Sequence, residues 1–95
     1  MREDRQRLDK WLWFARFAKT RTLAAKLVAA GFVRVNGERA DNPAKAVAVG
    51  DVLTIAVSRT TAVVRIEDLG ERRGPAPEAR LLYADATLVT APDRS

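Results

Sequence analysis

Residues 20–37 read TRTLAAKLVAAGFVRVNG, and along them the hydrophobic period changes from that of a helix to that of a strand. Thr20 is a predicted helix N-cap, because its hydroxyl can accept a free N–H from the first turn. Gly31 is placed to end that helix in a left-handed conformation. The next four residues alternate as a strand, and Asn36-Gly37 is a strong hairpin signal because both residues tolerate positive φ. A helix that leads directly into a β-hairpin therefore decides the fold.

The flanking segments predict the remaining elements. A first helix is expected over residues 7–17, because Leu8, Trp11, Leu12 and Ala15 form one stripe with a helical period. The expected apolar face of the second helix contains Leu23, Ala24, Leu27, Val28 and Ala30. Further expected elements are a short or irregular return strand in 38–45, a turn at 49–51, strands at 52–57 and 62–68, a loop at 58–61, and a short helix at 78–84 begun by Pro77. The last ten residues are expected to be a tail or a final strand.

This order predicts one α+β domain, with two N-terminal helices packed on a small antiparallel sheet and a short C-terminal helix. We expect residues 1–6 to form a flexible arm and residues 7–70 to form the domain. Residues 71–95 are expected to be an extension that packs on the domain or trails it.

Composition excludes several classes of function. The 95 residues contain no cysteine and no histidine, which excludes disulfides, zinc fingers and Ser-His or Cys-His dyads. The sequence also shows no paired carboxylates with metal spacing, no glycine loop for phosphate and no nucleophile beside a base. We therefore expect no enzyme, no metal and no cofactor. Without a signal peptide or a long apolar run, we expect a cytoplasmic protein with no membrane partner.

The positive charge lies entirely in the first half of the chain. Residues 1–45 hold eleven Lys and Arg against five Asp and Glu, whereas residues 46–95 hold six against seven, so the net charges are +6 and −1. Such sidedness is expected when one face meets a polyanion, although a solvated basic surface remains the alternative. Six of these cations lie within 20 residues on the two helices: Arg7, Lys10, Arg16, Lys19, Arg21 and Lys26.

The second helix is the centre of the predicted interface. The free N–H groups at Arg21 and Thr22 are expected to form an anion site, and Ala25 and Ala29 would let a phosphate backbone approach closely. Two roles are open for Trp13, Phe14 and Phe17: a platform on which a base stacks, or, as we favour, packing on the C-terminal segment around 81–83. Trp11 is expected in the core.

These residues resemble the S4-type RNA-binding domain family. The resemblance is carried by Arg7-Leu8-Asp9-Lys10, by Lys19-Thr20-Arg21-Thr22 with Ala25, by residues 31–37 (GFVRVNG), and by Val49-Gly50-Asp51. With Trp11-Leu12-Trp13, Glu71-Arg72-Arg73 and Leu81-Leu82-Tyr83 included, the chain is similar to the ribosome-associated heat-shock protein subfamily, heat shock protein fifteen. Members of that subfamily continue into a long basic extension, which this sequence lacks.

The resemblance implies an S4-like fold (the alpha-L motif) and a monomeric, non-catalytic protein that binds structured RNA. The implied partners are ribosomal RNA, transfer RNA and the large ribosomal subunit, in rescue or recycling of stalled translation. From the resemblance and the charge pattern together, the candidate RNA-binding residues are Arg7, Lys10, Arg16, Lys19, Thr20, Arg21, Thr22, Lys26, Arg34, Asn36, Arg39 and Lys45.

Three other functions stay open at this point. Two helices with a short turn can also belong to a DNA-binding regulator, although sheet follows directly here. The chain could be the accessory RNA-binding module of an RNA-modifying enzyme, but a chain of 95 residues that begins at Met1 leaves no room for a catalytic domain. The aromatic residues of the first helix could instead bind a protein.

Overall fold

The computed structural model describes residues 5–57 and 60–86. In chain order its elements are β1 (Gln6–Arg7), α1 (Leu8–Phe14), α2 (Arg21–Ala29), β2 (Val33–Val35), β3 (Glu38–Ala40), β4 (Ala46–Val47), β5 (Val52–Val57), β6 (Thr60–Ile66), α3 (Ala76–Ala79), a 3-10 helix (Arg80–Leu82) and β7 (Tyr83–Asp85). Within this part of the chain, no helix has the length and apolar character needed to cross a membrane.

The strands form one five-stranded antiparallel sheet in the order β3-β2-β5-β6-β7, and β1 pairs separately with β4. The long β5–β6 pair runs in register from Val52↔Arg65 to Val57↔Thr60. One core cluster joins α1 and α2 to the inner face of this sheet, with Trp11, Val28 and Ile55 fully buried. The predicted α+β class, with two N-terminal helices on an antiparallel sheet, is therefore confirmed.

The two helices bury different fractions of their predicted apolar faces. All four stripe residues of α1 are buried, as expected. In α2 only Ala24 and Val28 are buried, whereas Leu23 is 46% exposed and Ala30 is also exposed. The expected apolar face of α2 is confirmed for Ala24 and Val28 and for Leu27, which is partly buried against the core. It is wrong for Leu23 and Ala30, which lie on the surface.

Both helices end in Schellman motifs. In α2 the residue that ends the helix is Gly31 with φ +88, as predicted, and Thr20 caps the start by accepting a hydrogen bond from Leu23 N–H at 3.0 Å. In α1 the same position is taken by Arg16 with φ +68, and Phe17 N–H donates to the Leu12 carbonyl at 2.9 Å. This left-handed residue ends α1 at Phe14, three residues before the predicted end.

The C-terminal segment differs from the sequence prediction. The helix expected over 78–84 ends at Leu82, because Tyr83–Asp85 becomes the edge strand β7, with Ile66 paired to Tyr83. Residues 60 and 61, expected in a loop, belong to β6. At the other end, Gln6 lies in β1 and not in a flexible arm, and its side-chain amide exchanges two hydrogen bonds with the backbone of Gly70. Residues 1–4 of the predicted arm and residues 87–95 of the last ten lie outside the described residues.

The aromatic residues of α1 and the loop after it pack on that segment. The ring centroids of Phe17 and Tyr83 lie 5.0 Å apart, and Trp11 Nε1 donates to the Asp68 carbonyl at 3.0 Å. Phe14 packs against Gly70, and Trp13 stacks on Phe14 with centroids 5.4 Å apart. The interpretation that these rings pack on the C-terminal segment around 81–83 is confirmed for Phe17, whereas Phe14 meets Gly70 and Trp13 meets Phe14. Leu81, expected among the partners, is 73% exposed.

We expect Gly70→Ala to lower the free energy of unfolding by about 1–3 kcal/mol, as overpacking usually does. A β-carbon at Gly70 would lie 2.6 Å from Cδ2 and 2.9 Å from Cβ of Phe14. Urea titration followed by Trp fluorescence measures the change. Gly74→Ala is the matched control, because its β-carbon would meet chiefly the flexible carboxylate of Glu78. Equal losses in the two variants would contradict this packing.

Candidate nucleic-acid interface

A buried carboxylate connects the starts of the two helices. The Asp9 residue is only 3% exposed, and its two oxygens accept hydrogen bonds from Arg7 Nε at 3.1 Å and Arg7 Nη2 at 2.9 Å. Arg21 Nη2 lies 3.7 Å from Asp9 Oδ1. Two guanidinium groups from separate elements are therefore held on one anion. We call Arg7, Asp9 and Arg21 the arginine cluster.

Both guanidinium groups of the arginine cluster remain accessible. The side chains of Arg7 and Arg21 are 51% and 42% exposed, so each can contact Asp9 and still face solvent. The hydrogen bond to Asp9 and, after it, the charge of Asp9 raise the pKa of Arg7. Arg7 is charged at physiological pH, as arginine side chains are, and the contact with Asp9 favours that charged form. The cluster presents two oriented guanidinium groups. Each is planar and carries five N–H donors, a geometry suited to phosphate oxygens.

The backbone around Lys45 closes the start of α1. Leu8 N–H donates to the Lys45 carbonyl at 2.8 Å and Asp9 N–H donates to the Pro43 carbonyl at 3.1 Å. Arg7 is paired with Ala46 in the β1–β4 ladder. The exposed Lys45 comes immediately before Ala46, so its backbone lies next to the arginine cluster. These carbonyl partners leave the α1 terminus unsuited to an anion. The start of α2 carries the exposed Thr22, next to Arg21, whereas the Thr20 hydroxyl is used as the cap.

Lys19 and Lys26 flank an open apolar groove on α2. Its apolar lining consists of Phe17, Leu23, Leu27 and Phe32 together with two alanines. Phe32 is 52% exposed. We call this feature the α2 groove. Sequence reasoning missed it, because Leu23 and Leu27 were assigned to the core face.

Two arginines of the β2–β3 hairpin face each other across the ladder. Arg34 and Arg39 are register partners and both are exposed. The Arg39 guanidinium lies over Gly31, in the space that a β-carbon there would occupy, and so it covers the C-terminal end of α2. The Arg34 guanidinium instead donates to the Gly37 carbonyl at 3.4 Å, so the two cationic groups lie toward different ends of the hairpin.

Asn36 serves the turn itself. It has φ +53, its Nδ2 donates to Asp51 Oδ1 at 3.2 Å, and its Oδ1 accepts from Val52 N–H at 2.9 Å. The other Asp51 oxygen accepts from Ala48 N–H at 2.9 Å. The turn roles predicted for Asn36 and Asp51 are confirmed, and the Asn36 amide is already engaged by the protein.

The six helical cations do not form one cluster. Arg7 and Arg21 share Asp9, and Lys19 and Lys26 share the α2 groove. The Arg16 guanidinium instead donates to the Gly74 carbonyl at 2.8 Å, which ties the end of α1 to the C-terminal segment. The ammonium of Lys10 lies 5.7 Å from the centroid of the Phe14 ring. Among the described residues, no group of acidic side chains is arranged to hold a metal ion.

Comparison with known proteins agrees with this arrangement. The S4 domain family model matches residues 6–53, which include the arginine cluster, α2 and the β2–β3 hairpin. The chain belongs to the S4 domain family. It is 44% identical to heat shock protein 15 of Escherichia coli over 79 residues, covering 83% of this chain and 59% of that protein. The small ribosomal subunit protein uS4 of Xanthobacter autotrophicus is 39% identical over 72 residues, or 74% of this chain and 35% of that protein.

A solved structure supports the same assignment. Heat shock protein 15 of Vibrio cholerae matches with a TM-score of 0.81 and 44% identity, covering 85% of this chain and 81% of that one, and its structure is described as trimeric. The chain is thus an S4 domain protein related to heat shock protein 15. The chain spans 59% of the length of the Escherichia coli protein.

We expect Asn36→Ala to lower the free energy of unfolding by about 2 kcal/mol. About half of this loss comes from the missing hydrogen bonds, and the rest comes from the cost of placing alanine at a positive φ. Asn36→Gly loses the same bonds but tolerates positive φ, so it should cost less. Thermal and urea unfolding of the two variants measure the difference. If both unfold alike, the backbone of residue 36 does not need the left-handed region.

Proposed function

We propose that this protein binds structured RNA, without catalysis, through the arginine cluster, the exposed residues of α2 and the β2–β3 hairpin. The observation that carries the proposal is the pair of half-exposed guanidinium groups on the buried Asp9 carboxylate, because it fixes two phosphate-binding forks in one orientation. Lys45, Thr22 and Lys26 extend the surface, and Arg34 and Arg39 extend it past the far end of α2. Membership of the S4 domain family supports the same partner.

The RNA that we propose is ribosomal RNA or transfer RNA on the large ribosomal subunit in the cytoplasm, with a role in rescue or recycling of stalled translation. The relationship to heat shock protein 15 supports this subunit, and the likeness to a small-subunit ribosomal protein supports ribosomal RNA in general. Crosslinking in cells followed by sequencing of the bound RNA tests the assignment. Recovery of messenger RNA alone, or of DNA in place of RNA, would contradict it.

The expectation of a monomer is weakened by the comparison, because the Vibrio cholerae relative is trimeric. We propose that this chain also self-associates at high concentration. Sedimentation velocity over a range of protein concentrations measures its mass, and a single species of 10.5 kDa at every concentration would contradict the proposal.

Removing one phosphate contact should reduce the salt dependence of binding by a fixed amount. We expect Arg21→Ala and Lys26→Ala each to reduce the magnitude of the slope of log affinity against log salt by about 0.7–0.9, because each contact releases condensed counterions. Fluorescence anisotropy with a labelled RNA hairpin, at several salt concentrations, gives the slopes. Arg80→Ala removes an exposed cation from the C-terminal segment and should leave the slope unchanged. Equal slopes in wild type and both α2 variants would exclude these residues from the interface.

The arginine cluster allows a test in which charge and geometry predict opposite results. Asp9→Asn raises the net charge by one, so long-range electrostatics alone would strengthen RNA binding. We expect binding to weaken by about fivefold or more, because two arginine side chains lose their common anchor and must be ordered on binding.

Asp41→Asn is the matched control for that variant, because it makes the same charge change at an exposed aspartate. It should bind RNA as tightly as wild type or more tightly. Circular dichroism below the melting temperature confirms that both variants are folded. Stronger binding by Asp9→Asn would show that the carboxylate only reduces the total charge.

A further inference from the structure

The α2 groove is an apolar feature beside the proposed RNA contacts of α2. Two of its side chains, Leu23 and Phe32, are about half exposed at 46% and 52%. Lys19 and Lys26 line it, and among residues 5–57 and 60–86 no carboxylate does. Lys26 lines the groove and lies one helical turn after the exposed Thr22 on α2. The groove is therefore continuous with the proposed phosphate-binding surface and has the charge of a site for a polyanion.

The groove is held rigid by the fold around it. Phe32 N–H donates to the Leu27 carbonyl at 3.1 Å, and the Phe32 carbonyl accepts from Ala56 N–H at 2.9 Å. Its backbone is thus fixed on both sides, between the end of α2 and the sheet. The Phe17 ring on the other side is stacked on Trp11 with centroids 6.1 Å apart. An exposed aromatic ring on a fixed backbone, beside two cations, is the combination on which unpaired bases stack.

On these grounds, and resting on the proposed function, we propose that the α2 groove binds one unpaired base of the RNA. The base would lie on the exposed face of Phe32 against Leu23, and Lys19 and Lys26 would contact the flanking phosphates. The charge of the groove favours a nucleotide over an apolar protein segment, because both charged residues that line it, Lys19 and Lys26, are cations.

The test compares two RNA hairpins that differ only in one unpaired purine bulged from the stem. We expect wild type to prefer the bulged hairpin, and Phe32→Ala to lose about five- to tenfold in affinity for it while keeping its affinity for the fully paired hairpin. The salt slope should stay unchanged, because no phosphate contact is removed. With 2-aminopurine as the bulged base, wild type should quench its fluorescence and Phe32→Ala should not.

Two further variants keep the test decisive. Phe32→Leu retains an apolar side chain without the aromatic face, so it should fold like wild type and still lose the preference for the bulged hairpin. Val49→Ala removes a 57% exposed apolar side chain outside the groove and should change neither affinity.

Several outcomes would overturn the proposal. Equal losses on both hairpins, or unchanged 2-aminopurine quenching in Phe32→Ala, would exclude base stacking in the groove while leaving RNA binding intact. If Phe32→Ala and Phe32→Leu dissociate an oligomer in sedimentation without altering the preference for the bulge, the groove is a contact between copies of the chain. If wild type binds neither hairpin, the proposed function fails as well.

Discussion

The Asp9 carboxylate, buried between the two helices, is the constraint on which the site depends. A buried charge needs a partner, and here Arg7 and Arg21 supply it from separate elements. Arg21 precedes Ala24 by three residues, so the orientation of α2 that buries Ala24 and Val28 also brings Arg21 to Asp9. In the same orientation Leu23 stays exposed and lines the α2 groove. The apolar packing of α2 and the contact with Asp9 therefore require the same orientation of the helix.

The features that the sequence predicted correctly are backbone conformations that neighbouring residue types favour. They are the Thr20 cap, the left-handed Gly31 and the positive φ of the Asn36-Gly37 turn, although the Asn36 side chain also bonds to the distant Asp51 and Val52. The errors occur where a distant partner decides. Tyr83 and Ala84 leave the predicted helix and join β7, because the edge of β6 offers a ladder and Phe17 offers a ring. Arg16 adopts φ +68 while its side chain bonds to Gly74, 58 residues away.

The candidate site shows the same division. The sequence shows that the positive charge lies in the first half of the chain. It does not show which of these cationic side chains lie close together in the fold. In the sequence, Asp9 is explained by its favourable position in the first turn of a helix. Nothing in the spacing of Arg7, Asp9 and Arg21 shows that their side chains converge. Asn36 is a different case: the resemblance implied an RNA contact, whereas its amide is bonded to Asp51 and Val52. The RNA contact of Asn36 therefore stays a prediction, and its role in the turn is what the structure explains.

The spread of the cations also argues for the kind of ligand. The nine-residue helix α2 extends over about 13 Å, with Arg21 at its first residue and Arg39 over Gly31 at its other end. Cations this far apart cannot share one phosphate, so a mononucleotide or a free anion would leave most of them unused. A polyanion whose charges repeat along its length can engage both ends of α2 at once. The distance between these arginines thus favours a nucleic-acid backbone, and the arginine cluster, held in one orientation, favours a backbone of defined shape.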